Sequence, residues 1–367
     1  MMSATRPILL CAGGTGGHLF PAQALADELL KRGCVVELAT DERALKYAAH
    51  FPARAIHSVQ AGTPTGGSPI SKGRAVLALI MGAAQAFFLL RAIKPACVVG
   101  FGGYPTVPPL LAASLLRAPS ILHEQNAVMG RANRFLAGRV NRVATGFAML
   151  KGVSENVRAI SVHVGNPVRP SVIEASSTPY PDFSDGRLRL LVTGGSQGAR
   201  VMSDIVPAAL ELLSPALRSR IDLVQPARGE DEARVRGACQ RLEVKAEVAA
   251  FFADLPQKIA HAHLVIARAG ASTVSELAVI GRPSILVPFP FALDQDQAAN
   301  AEQLAQSGAA MVIPQDDFTP QRLALEIEAA FADPARLGAR AAAAKSAGIP
   351  DAAARLADLV LATMRQI

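Results

Sequence analysis

The chain of 367 residues has no tryptophan and only 3 tyrosines, and aromatic residues of any kind make up 5%. That scarcity removes the stacking platforms on which single-stranded nucleic acids lie, and no nucleic-acid module is present, so no nucleic acid is expected as a partner. Charge is sparse too, at 18%, while half of the residues are hydrophobic. Such a composition buries a large core and excludes a disordered chain. The 4 cysteines (Cys11, Cys34, Cys97 and Cys239) form no C-x-x-C pair and lie mostly in apolar runs. They read as reduced core residues of a cytosolic protein. The opening Met-Met-Ser-Ala-Thr-Arg-Pro lacks an apolar core, so no export signal is expected. A membrane-spanning helix needs about 20 apolar residues. The nearest approach, Ala75 to Leu90, is shorter and is interrupted by Gln85; it reads as a buried or interfacial helix.

Acidic residues are what the first part of the chain lacks. Residues 1–164 carry 17 Lys and Arg against 7 Asp and Glu, whereas the remainder carries 20 against 23. A basic half beside a mildly acidic one points to an anionic partner, and an anionic lipid surface fits it.

What is present is a repeated alternation of short apolar runs with helix-length segments. Strands are expected at Pro7–Gly13, Cys34–Thr40, Ala55–Ala61, Ala96–Gly103, Pro119–Asn126, Arg142–Phe147 and Ser161–Gly165. After them come Leu188–Gly194, Ile221–Pro226, Glu247–Phe252, Leu264–Ala269, Pro283–Pro288 and Ala309–Ile313. Continuous apolar runs are the mark of parallel strands covered on both faces, and the intervening helices make βαβ units. The segment Pro170 to Arg187, rich in Ser, Pro, Thr and Asp, places a linker there or just before it. The length suits two doubly wound α/β domains, each with a ligand crevice at its strand carboxyl ends.

Three strand-to-helix turns carry the chemistry. The first is Gly13-Gly14-Thr15-Gly16-Gly17-His18, whose bare amides can approach an anion or a sugar at a helix N-terminus. A dinucleotide fingerprint read from Gly14 would need glycine where Leu19 stands, which disfavours NAD. The second, Gly194-Gly195-Ser196-Gln197-Gly198-Ala199, suits a diphosphate but also matches the G-x-S-x-G elbow of serine hydrolases, with Asp254 and His261 or His263 following in a workable order. The third runs from Ala269 to Glu276. Glu276 can bridge a ribose diol there, while Ser272 reads equally well as the N-cap of a capping box. Asp294 and Asp296 form a weak Asp-x-Asp pattern that a solvated helix start explains as well, so neither a metal nor another cofactor is expected.

Six motifs in order resemble the MurG family, the UDP-N-acetylglucosamine transferases that convert lipid I to lipid II in peptidoglycan synthesis. They are Gly13 to His18, Phe101-Gly-Gly-Tyr-Pro105, His123-Glu-Gln-Asn126, Gly165-Asn-Pro-Val-Arg169, Gly194 to Ala199, and Thr273-Val-Ser-Glu276. The resemblance covers essentially the whole chain. It implies the GT-B fold, with two Rossmann-like domains facing across a cleft that holds the donor. Residues 1–164 would form an acceptor- and membrane-facing domain on which the helix 350–367 packs back, and 165–349 the UDP-sugar domain.

Site residues follow from the same resemblance. Arg169, Ser196, Phe252 (through its backbone), Ala271, Ser272, Thr273, Val274, Ser275, Glu276 and Gln297 would hold UDP-GlcNAc from the second domain. Thr15, Gly16, Gly17 and Asn126 would reach it from the first. His18 is the candidate base, and Tyr104, Glu124, Asn133 and Arg134 are acceptor-side candidates. Two positions depart from the pattern: Asp296 stands where many relatives have His, and Arg134 where Lys is usual, which keeps charge but not geometry. The implied partners are UDP-GlcNAc, lipid I and an anionic membrane surface, with other cell-wall synthesis or division proteins as further candidates. The implied location is peripheral, on the cytoplasmic face of the bacterial inner membrane. Rival readings are another GT-B enzyme such as a galactosyltransferase or a UDP-GlcNAc 2-epimerase, a serine hydrolase built on Ser196, and a non-catalytic nucleotide-sugar sensor.

Overall fold

The structure, a computed structural model, describes residues 6–13, 16–45, 50–62, 68–195 and 198–365. Its strands fall into two sheets that are parallel throughout. The first contains β1 (Ile8–Cys11), β2 (Val36–Thr40), β3 (Ile56–Ser58), β4 (Cys97–Gly100), β5 (Ser120–Glu124), β6 (Arg142–Thr145) and β7 (Ser161–His163). The second contains β8 (Leu188–Thr193), β9 (Ile221–Pro226), β10 (Lys245–Ala249), β11 (Leu264–Ala267), β12 (Ser284–Leu286) and β13 (Ala310–Val312). Their orders are β3-β2-β1-β4-β5-β6-β7 and β10-β9-β8-β11-β12-β13. Each order reverses once, between β1 and β4 and between β8 and β11. The amides and side chains beyond those strand ends are therefore where a doubly wound sheet opens a crevice.

Central strands read as unbroken apolar runs because both faces are covered. Ile8 and Leu10 pack with Leu25, Leu29 and Leu38 on one side of the first sheet. Leu9 and Cys11 pack with Leu90, Val98 and Leu110 on the other. Burying each such Leu or Ile contributes about 1.5–3 kcal/mol. All of the expected strands are present, but β10 begins and ends earlier than Glu247–Phe252. It is an edge strand with Lys245 and Glu247 exposed, and the apolar run that follows it is loop.

The chain divides into two units, Met1–Arg169 with Pro350–Ile367, and Pro170–Ile349. The break falls after Arg169 rather than after residue 164. Two bonds explain this: Gly165 N donates to Thr145 O at 3.1 Å, and Asn166 Nδ2 donates to Gln125 O at 2.9 Å. The segment after Pro170 belongs to the second unit, where the buried Arg282 guanidinium donates to the Thr178 and Pro179 carbonyls, each at 3.0 Å. The final helix, Ala352–Arg365, packs in the first unit through Leu356, Ala357 and Val360. Arg32 ties it to the helix Gly16–Lys31 by an ion pair with Asp358 at 2.5 Å.

The apolar stretch at Ala75 to Leu90 is the middle of a 25-residue helix, Pro69–Ile93, capped by Ser68 at its start. It is longer than the sequence suggested, and long and apolar enough to cross a membrane by length and composition alone. Ala86 and Leu90 pack it into the first unit. Its other face is open: Ile70, Leu77, Ile80, Met81 and Phe88 recur at helical spacing, with Ile80 62% and Phe88 70% exposed. Lys72, Arg74, Arg91 and Lys94 are exposed around that face.

Candidate functional site

In the first unit the site gathers beyond β1, β4 and β5. Gly16 and Gly17 open the helix that follows β1, and His18 stands in its first turn, half-buried. Its Nδ1 lies 3.2 Å from Gln125 Oε1. Burial pushes the His18 pKa down, against the Gln125 hydrogen bond and the backbone of Phe101. Gly102 and Gly103, after β4, carry positive φ values of 87° and 73° and border the His18 ring, with Tyr104 next in a short 3-10 turn.

Glu124, the last residue of β5, is 1% exposed. One of its oxygens accepts from Asn126 N at 2.9 Å and Asn126 Nδ2 at 3.4 Å. The other accepts from Gly130 N at 3.0 Å and Asn133 Nδ2 at 2.7 Å. Burial raises its pKa, opposed by those four donors. Glu124 thus shapes the loop that presents Asn126 and the start of the helix Arg131–Leu136, on which Asn133 is buried and Arg134 exposed. Arg134 Nη2 donates to Met129 O at 3.0 Å, a loop contact. Arg169, expected to serve from the second domain, is the last residue of the first unit, with its guanidinium 5.1 Å from the Phe20 ring centre.

In the second unit the crevice lies beyond β8, β11 and β12. Gly194 follows β8 in a turn so tight that a Cβ on it would sit 2.2 Å from Ala199 N, leaving room for no other residue. The helix Ala271–Ile280 starts from Gly270, which is extended and gives no side-chain cap. Ser272 is therefore inside the helix, not its N-cap. Ser272, Thr273, Ser275 and Glu276 are half-buried around that first turn, while Ala271 and Val274 are buried. The positive end of the helix is left to whatever anion approaches it. Gln297 Oε1 accepts from Phe289 N at 2.9 Å, and Asp296 Oδ1 from Gln297 N at 2.8 Å. Phe252 is buried under Lys258 Nζ, 4.9 Å from its ring centre, whereas its neighbour Phe251 is exposed. Thr15 and Ser196 lie outside the described residues. Among the described residues no group of three or more His, Cys, Asp or Glu could hold a metal ion.

Two residues that fix this crevice were not singled out from the sequence. Buried Arg268 donates to the Val287 and Pro288 carbonyls at 3.0 and 3.1 Å, and buried Asn300 to Ala269 O at 3.1 Å. A polar residue standing in an apolar run was the available signal. The hydrolase reading loses its histidine. His263 is fully buried just before β11, at the amino-terminal end of β8 and β11, where it accepts from Arg189 N at 3.0 Å and donates to Asp182 O at 2.9 Å. His261 is engaged with Gln257 O at 2.7 Å.

Residues 8–145 match the glycosyltransferase family 28 N-terminal domain, and residues 189–356 match the family's C-terminal domain. The chain belongs to glycosyltransferase family 28. Among curated members, the UDP-N-acetylglucosamine–N-acetylmuramyl-(pentapeptide) pyrophosphoryl-undecaprenol N-acetylglucosamine transferase of Methylobacterium nodulans is 57% identical, covering 100% of this chain and 99% of that one. The protein of the same description from Methylobacterium sp. strain 4-46 is 58% identical, covering 99% and 98%. The crystal structure of Acinetobacter baumannii MurG matches with a TM-score of 0.80 at 27% identity, covering 97% of this chain and 99% of that one. A UDP-GlcNAc 2-epimerase from Neisseria meningitidis matches with a TM-score of 0.68 at 14% identity, covering 98% and 100%, a likeness of fold alone. Two parallel-sheet, Rossmann-like domains in a family 28 member make this a GT-B glycosyltransferase.

Proposed function

We propose that this chain transfers N-acetylglucosamine, with inversion, from UDP-GlcNAc to the 4-hydroxyl of the N-acetylmuramic acid in undecaprenyl-pyrophosphoryl-N-acetylmuramyl-pentapeptide, turning lipid I into lipid II. The observation that carries this reading is the 57% identity, across 100% of the chain, to a transferase of that description. In it, the second unit holds the uridine diphosphate. The amides of the turn after β8 and of the helix Ala271–Ile280 meet the diphosphate, and Glu276 meets the ribose. Those donors stabilise the charge that develops as UDP leaves. The first unit presents the acceptor: His18 takes the proton of the attacking hydroxyl, Asn133 orients the acceptor, Asn126 reaches the donor sugar, and Glu124 acts through both asparagines. Incubation with lipid I and radiolabelled UDP-GlcNAc tests the whole reading. Label is expected in a lipid-linked disaccharide with stoichiometric UDP. Label released as a free epimerised sugar, or no transfer to lipid I, would sink it.

The acceptor is a lipid, so the enzyme works at a bilayer surface, peripherally on the cytoplasmic side. The open face of Pro69–Ile93 is the docking surface in this reading. Its Ile80 and Phe88 enter the headgroup boundary, and Lys72, Arg74, Arg91 and Lys94 meet anionic lipid at about 1 kcal/mol each. Sedimentation with phosphatidylglycerol-containing vesicles is expected to fall with added salt, and Arg74→Ala is expected to weaken it about fivefold. Binding that ignores both lipid charge and salt would refute the docking surface.

A further inference from the structure

A chain of hydrogen bonds runs behind His18. His123 Nε2 lies 3.1 Å from Gly165 O, Gln125 Nε2 lies 2.9 Å from His123 Nδ1, and Gln125 Oε1 lies 3.2 Å from His18 Nδ1. His123 is fully buried and Gln125 nearly so. Each link fixes the next. A carbonyl oxygen only accepts, so His123 carries its proton on Nε2 and donates to Gly165. Burial holds the His123 pKa near about 4, so the ring is neutral and its Nδ1 is a bare acceptor. The Gln125 amide therefore turns its NH₂ toward His123, where it also meets His123 O at 3.2 Å. Its oxygen is left facing His18, and an oxygen needs a donor there: the His18 proton sits on Nδ1. The lone pair of the neutral ring is then on Nε2. That edge is the one bordered by Gly103, where a Cβ would stand 3.4 Å from Nε2.

We infer that His123 and Gln125 are positioning residues that set the tautomer of His18, so that Nε2 is the atom that receives the acceptor's proton. The inference rests on the reading of His18 as the base. A hydrogen-bonded partner that selects which imidazole nitrogen is bare does here for a base what it does elsewhere for a metal ligand.

Long-range proton–nitrogen correlation spectra of the full chain, labelled with ¹⁵N-histidine, read the tautomers directly. His18→Asn and His123→Gln assign the two resonances among the 7 histidines. The expected result is His18 protonated on Nδ1 and His123 on Nε2. Gln125→Met should let His18 populate both tautomers and lower kcat about tenfold, the worth of roughly one hydrogen bond, with the KM for UDP-GlcNAc within about twofold. Wild-type His18 protonated on Nε2 overturns the inference, as does an unchanged His18 tautomer in Gln125→Met. Failure of the base reading looks different: His18→Asn would then turn over normally while the wild-type spectrum still showed the Nδ1 proton.

Discussion

Replacing His18 with asparagine is expected to lower kcat by about 10²–10⁴-fold, the usual worth of a positioned base, while the KM for UDP-GlcNAc stays within a few-fold. The asparagine keeps a polar side chain near Gln125 and so separates proton transfer from local packing. His18 acts when neutral, so activity rises with pH through its pKa. Burial lowers that pKa from its ordinary value of 6.5, so the acid limb of kcat/KM is expected below pH 6.5, and the enzyme stays competent across neutral pH. That limb should vanish from the residual activity of His18→Asn. Turnover within a few-fold of wild type, with the acid limb intact, ends the base assignment.

The parts of this molecule that could be read along the chain are those whose cause is local. β1, β4, β8 and β11 announced themselves because strands buried on both faces need apolar residues at nearly every position, Arg189 of β8 being the charged exception. The glycine turn after β8 did so because a Cβ on Gly194 would stand 2.2 Å from Ala199 N, which excludes every other side chain. β10 was displaced because an edge strand carries Lys245 and Glu247, and the continuous apolar run that begins in its last two residues and continues beyond it, Val248 to Phe252, imitated a buried strand. Ser272 was a plausible cap until Gly270 took the extended conformation before the helix. Roles created by long-range pairing left no local trace. Arg268 reaches Gln315 at 2.5 Å across 47 positions, and His18 reaches Gln125 across 107. Motif spacing brought His123 to Asn126 into view as a block, but which of them faces the reacting centre is decided by where the helix after β1 puts His18.

Glu124→Gln is expected to destabilise the protein by about 2–4 kcal/mol and to reduce turnover as well, although it alters one atom and removes a buried charge. A carboxylate presents two accepting oxygens, and both are used. Asn126 N and Nδ2 address one, and Gly130 N and Asn133 Nδ2 the other. Glutamine keeps one acceptor and turns an NH₂ group against two donors. Whichever way the amide lies, a pair of N–H groups loses its partner, at about 1–3 kcal/mol for each one left buried. Loss of the charge returns part of this, because burial disfavours the ionised form and raises the Glu124 pKa; hence the lower half of the range. The charge is kept at a cost because only a double acceptor holds the loop at Asn126 and the helix at Asn133 together, the first assigned to the donor sugar and the second to the acceptor. Urea denaturation should show a lower midpoint with an unchanged slope, and turnover should fall even where the variant is fully folded. A variant as stable as wild type would mean that the loop closes without the carboxylate, and Glu124 would have to be sought in the chemistry instead.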